Sequence, residues 1–98
     1  MEVYKGRLIA YSLGNFATSG FNVSGNLGLG VIAEATLDKD GKLLSGKLFP
    51  TRQTQSGIAL KDADAKALDQ IRFLSKEDFP DRHILLAKDG SLKPPPVK

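Results

Sequence analysis

Apolar and polar positions alternate in short bursts along most of this chain and settle into a helical period only once. Val3 and Tyr4 are strand formers, Lys5-Gly6 is a turn pair, and Leu8 to Tyr11 resumes an unbroken apolar run. The pattern predicts two short strands between Glu2 and Leu13, the second buried on both faces. From Leu29 to Leu37, Val31, Ala33, Ala35 and Leu37 alternate with Ile32, Glu34 and Thr36, which predicts another strand. Asp38-Lys39-Asp40-Gly41 predicts a tight turn, since Asp-Gly is a favoured hairpin pair. Lys42 to Phe49 then returns as the partner strand, and Pro50 closes it.

The polar stretch 51–57 predicts a loop. Leu60, Ala63, Ala67, Leu68, Ile71 and Leu74 recur three and four apart, which predicts a helix over Asp62 to Leu74. Asp62 is placed as its N-cap, with Asp64 favouring the positive end of the dipole. Ser75-Lys76-Glu77-Asp78 has the form of a capping box and predicts one further helical turn, stopped at Phe79-Pro80. Arg82 to Ala87 predicts a last strand, Lys88-Asp89-Gly90 a turn, and Ser91-Leu92 a brief pairing. The architecture predicted is a single α+β domain over residues 1–93. It has a mostly antiparallel sheet, one main helix, and a proline-rich tail over residues 94–98 that cannot join a sheet interior. Gly14 to Gly30 breaks the regularity. It is rich in glycine and asparagine and long for a connection in a compact domain, which predicts a functional or mobile loop, with Phe16 and Phe21 able to pin it to a core.

Composition narrows the function classes. At 98 residues there is room for one domain, and 41% hydrophobic and 26% charged residues is ordinary globular usage. The net charge of +3 is spread among residues of both signs, without the like-charge block of a nucleic-acid arm. Nucleic acid is therefore not an expected partner. The absence of cysteine excludes disulfides, thiolate metal sites and cysteine nucleophiles. No stretch approaches the roughly 18 apolar residues of a membrane span. Met1 leads directly into a strand-like run, so any export signal is expected elsewhere.

Candidate chemistry is sparse. Gly28 to Ala33 reads G-x-G-x-x-A, but the glycines open a β-branched run rather than a helix, and no acidic residue follows about 20 positions on. His83 is the only histidine, and its neighbours Asp81 and Arg82 give it no obvious partner on the same strand face. Asp38 and Asp40 belong to a turn that lacks the remaining ligands of a calcium loop. Asp62, Asp64 and Asp69 read as the caps and solvated face of a helix. Asn22 formally heads a glycosylation sequon. Ser12 has neither a local histidine nor a G-x-S-x-G context, so a serine hydrolase is not indicated. No catalytic residue and no metal ligand is assigned. What remains is Tyr11-Ser12-Leu13-Gly14-Asn15-Phe16, a strand end that presents Ser12 and Asn15 around a glycine.

Those residues carry a resemblance. Glu2 to Phe16, "EVYKGRLIAYSLGNF", resembles the C-terminal part of bacterial capsule biosynthesis proteins of the CapA type, the poly-gamma-glutamate synthesis family. The family pattern Y-x-G-x-x-I-x-Y-S-L-G-N-F falls on Tyr4, Gly6, Ile9 and Tyr11 to Phe16. The later order is similar too: a strand pair with an acidic-Gly turn, a proline, a helix, Leu74-Ser75, and a final strand near Asp89-Gly90. The resemblance implies a calcineurin-like metallophosphoesterase sandwich, of which this chain is the C-terminal part. It implies that Ser12, Gly14 and Asn15 end a strand close to the cleft. The family's Asp, Asn-His and G-H-x-P-H ligand motifs precede the segment seen here. The chain alone is thus expected to bind no cofactor and not to be catalytically competent, the divalent metal belonging to the full-length parent. The implied partners are the remainder of the parent or a second copy of the chain, with the capsule polymer or its precursor, at the cell envelope. The alternative is an autonomous, non-catalytic binding module that uses the Gly14 to Gly30 loop.

Overall fold

The structure, a computed structural model, describes residues 1–14, 25–53 and 58–95, with secondary structure alone given at Gly25 and Asn26. These residues form an α+β fold with antiparallel strand pairing and, among them, one α-helix. Strands β1 (Glu2–Tyr4) and β2 (Arg7–Ile9) form a hairpin. A 3-10 turn over Gly25–Gly28 leads into β3 (Leu29–Leu37), which pairs along its length with β4 (Leu43–Gln53). On its other edge β4 carries two short strands, β7 (Ser91–Lys93) and β5 (Ala59–Lys61). Strand β6 (Leu85–Leu86) flanks β7, so the sheet runs β3-β4-β7-β6 with β5 beside β4.

The β3–β4 hairpin forms where the alternation predicts it. Asp38 holds the turn: its Oδ1 accepts the amides of Asp40 and Lys42, each at 2.9 Å. The second strand does not close at Pro50, however, and residues 51–53 are strand rather than loop. The reason is register. Val31 pairs with Pro50, yet the Val31 amide donates away from β4 to the Leu13 carbonyl, so this pair exchanges no ladder bonds. The Pro50 carbonyl accepts the Asp62 amide from the opposite side. Proline's missing N–H therefore falls where the β3–β4 ladder needs no donor.

Helix α1 spans Lys66–Asp78, as long as the apolar stripe predicts but four residues later. Asp62 is not its N-cap. That position is Ala65, in a left-handed conformation, while the Asp62 carboxylate accepts the Lys66 amide at 3.2 Å. Leu60 is not on the helical stripe but in β5. Ser75 to Asp78 do add the expected helical turn, but without a cap of their own: Ser75 is buried inside one continuous helix built from good formers such as Ala67, Leu68, Gln70, Arg72, Lys76 and Glu77. Phe79 caps the end through its amide to the Ser75 carbonyl, and Pro80 prevents continuation.

The helix packs Ala67 and Leu68 on one face of the sheet. Paired residues share a face, so Leu29, Val31, Leu48, Leu86 and Leu92 line it together, joined by Met1, Val3, Leu43 and Ile84. Leu48, fully buried, and Leu92, at 1% exposure, are its centre; burial of a leucine contributes about 1.5–3 kcal/mol. The opposite face presents Ile32 and Phe49 as a cross-strand pair, both exposed, beside Glu34 and Lys47. Two further expectations are corrected. The Leu8–Tyr11 run is not buried on both faces: β2 has one strand neighbour, and Ala10 and Tyr11 are exposed. The strand expected over Arg82 to Ala87 is confined to Leu85–Leu86, because residues 82–83 engage β1 instead, through the Glu2–His83 bridge, and β7 follows it. Pro94 and Pro95 lie outside the strands. Among the described residues no helix is long and apolar enough to cross a membrane.

Candidate functional site

After β2 the chain runs along the outer edge of β3. The Leu13 carbonyl accepts the Val31 amide at 2.9 Å, and Gly14 bridges Gly30. Gly14 has φ +81°, and a Cβ there would lie 2.4 Å from the Leu29 carbonyl oxygen, so both the backbone conformation and the close approach require glycine. The Ser12 hydroxyl accepts the Gly14 amide at 3.2 Å and shapes this bend.

The segment stands apart from helix α1, and a groove lies between them. Ser12, Ile71 and Leu74 line both of its halves. One half, about 380 Å³, extends to Met1, Tyr11, Ser75 and Phe79. The other, about 210 Å³, extends to Leu13, Gly14, Gly30 and Gln70. The walls are mostly apolar, with the Ser12 hydroxyl, the Gln70 amide and the Asp78 carboxylate among the hydrogen-bonding groups.

A buried carboxylate fixes one end of the groove. Glu2 is 3% exposed. Its Oε2 accepts the Tyr11 hydroxyl and its Oε1 accepts Arg82 Nε at 2.9 Å. The Tyr11 hydrogen bond, aided by Arg82, holds the Glu2 carboxyl below its ordinary value against the opposing effect of burial. The same bond pushes the Tyr11 phenol up. Strand pairing sets this geometry, since the Val3 amide donates to the Arg82 carbonyl at 2.8 Å. Tyr11 also stacks on Phe79, with ring centroids 5.4 Å apart and planes 9° from parallel. The Met1 ammonium, its pKa lowered by burial, donates to Ser75 Oγ at 2.6 Å. Both Glu2 oxygens are engaged, so Glu2 is a clamp joining β1, the Tyr11 segment and the 82–83 turn. The groove is equipped to hold and orient a ligand.

Of the residues singled out in the sequence, the structure brings Ser12 and Gly14 to this groove. Asn15, Phe16, Phe21 and Asn22 lie outside the described residues. His83 lines a different depression, and its Nδ1 lies 3.0 Å from the Ile84 carbonyl oxygen. Asp38 serves its hairpin, and the Lys42 amide chiefly holds its carboxyl below the ordinary value. Asp69 pairs with Arg72 at 2.9 Å. The glycines of Gly28 to Ala33 end a 3-10 turn and open a strand. Among the described residues no three His, Cys, Asp or Glu side chains gather as a metal-holding group. Sequence reasoning missed Glu2 and Arg82, which stand 80 positions apart; the available signal was a charge inside an otherwise strand-forming run. Comparison with protein-family models, curated proteins and solved structures returns no match.

Proposed function

We propose that this chain is the C-terminal part of a capsule or poly-gamma-glutamate biosynthesis protein of the CapA type, at the cell envelope. It contributes one wall of a metallophosphoesterase-like cleft whose divalent metal is held by residues of the parent outside this chain. The observation that supports this reading is the placement of Tyr11 to Gly14. The segment that carries the resemblance leaves β2, is locked on β3 by an obligatory glycine, and delivers Ser12 to an open groove rather than to a closed core. In this reading Ser12 and Gly14, followed by Asn15, position groups at the cleft edge, and the chain alone turns over no phosphodiester.

The test is a chromosomal Gly14→Val substitution in the source organism, read as cell-associated anionic polymer with the protein level followed by immunoblot. Loss of polymer at a normal protein level supports the reading. Unchanged polymer overturns it, as does manganese-dependent phosphodiester hydrolysis by the isolated chain.

A further inference from the structure

A second depression, about 860 Å³, lies apart from the groove beside Ser12. It runs along His83 to Lys88, between the C-terminal half of α1 and the turn into β7. Its charge is one-sided. Arg72, Lys76, Lys88 and Lys93 line it, with Asp89 as the one carboxylate of the lining. Asp89 is already engaged by the Ser91 amide at 2.9 Å, which chiefly holds its carboxyl low. Arg72 is fixed in place: Nε donates to the Leu86 carbonyl at 2.8 Å, Nη2 to the Ala87 carbonyl at 3.1 Å, and Nη1 pairs with Asp69. This guanidinium ties α1 to the end of β6 and the turn after it, and among the described residues Lys76, Lys88 and Lys93 form no ion pair within 4 Å. Lys88 also borders a smaller hollow with Asp64 and Asp69, so Lys76 and Lys93 carry the clearest excess charge.

We infer that this groove binds an extended acidic peptide segment of a partner protein. Three features select that class. The cations come from two elements, Arg72 and Lys76 from α1 and Lys88 and Lys93 from the turn and strand that follow β6, around the segment Leu85 to Ala87, which suits carboxylates carried on aliphatic stems. The lining holds no Phe, Tyr or Trp on which nucleic-acid bases would stack. The lining follows one continuous stretch, His83 to Asp89, along the edge of the sheet, where an extended chain can lie alongside. The inference is independent of the family reading above, because it uses none of the Ser12 groove.

The experiment is fluorescence anisotropy of the full chain with a labelled octapeptide of alternating glutamate and alanine. Saturable binding is expected, weakened about tenfold between 50 and 300 mM salt. Lys76→Glu with Lys93→Glu is expected to weaken it a further tenfold or more, whereas Lys5→Glu with Lys39→Glu, at the two hairpin turns, changes it less than twofold. Amide resonances of Leu85 to Lys88 in the unsubstituted chain should shift on titration, a readout that needs no variant. No saturable binding at 1 mM peptide, equal weakening by the distant pair, unmoved Leu85 to Lys88 resonances, or equally tight binding of an eight-phosphate oligonucleotide would each overturn the proposal.

Discussion

Replacing Gly14 by alanine separates two costs that usually arrive together. The first is conformational: at φ +81° an L-residue meets its own carbonyl, a penalty of about 1–2 kcal/mol. The second is contact. A Cβ at 2.4 Å from the Leu29 carbonyl oxygen and 2.9 Å from Gly30 Cα meets the backbone of β3 alone, so no side chain can swing away to relieve it. The two segments must part by more than half an ångström. That breaks the bond from the Val31 amide to the Leu13 carbonyl, worth about 1 kcal/mol. The expected loss is about 2–3 kcal/mol. Gly41 supplies the control. It has φ +84°, but the nearest atom to its added Cβ is Arg7 Nε at 3.7 Å, ordinary contact. Gly41→Ala should therefore lose only the conformational part, about 1 kcal/mol.

Urea unfolding of the two variants measures the difference, and exchange of the Val31 amide locates it. Detachment of the Tyr11 to Gly14 segment would leave the rest of the sheet standing, so Val31 exchange should accelerate even where the global midpoint moves little. Equal losses in the two variants, with Val31 as protected as in the parent, would refute the reasoning. The contact with Leu29 would then not be what fixes the segment on β3.

Leu48→Ala, at the centre of the core, should cost about 3 kcal/mol by urea unfolding, through lost burial and an unfilled cavity. Arg72→Met should cost about 1–2 kcal/mol, because the Leu86 carbonyl loses its charged donor and the Ala87 carbonyl is left with the Gly90 amide alone. The Glu2 pKa is depressed on folding, so its contribution is present above the ordinary value of 4.5 and fades as pH falls through the lower folded value. Acid unfolding of Glu2→Gln should accordingly be flatter than that of the parent in that window. Tyr11 has the opposite sense: its raised pKa gives stability present below pH 10.0 and lost as pH rises through the folded value, so Tyr11→Phe should flatten the alkaline limb.

What could be read in the sequence follows the range of the interactions concerned. The β3–β4 hairpin was legible because Asp38 organises it within four residues, and alternation then sets the register. The helix was legible as a period but not at its start: the stripe includes Leu60 and Ala63, yet the Asp62 amide is taken by the Pro50 carbonyl, and Leu60 is drawn into pairing with Arg52. Tertiary bonds thus removed the first turn that local propensity would have granted. Pro50 misled for a related reason, since whether a proline ends a strand depends on which edge its nitrogen faces, and that is settled by the partner's register. For the candidate site, the sequence isolated Ser12 and Gly14 but left out Glu2, Tyr11 and Arg82 as a unit. An acid at position 2 can find its base at position 82 only once β1 lies beside the turn that follows the helix. This has a consequence for the groove itself. Its helix wall and its Ser12 wall share no strand, and Tyr11, stacked on Phe79 and bonded to Glu2, bridges them. That side chain therefore helps set the width of the groove, with the Met1–Ser75 bond beside it, so Tyr11→Ala should change ligand capture at Ser12 more than substitution of a lining residue that touches only one wall.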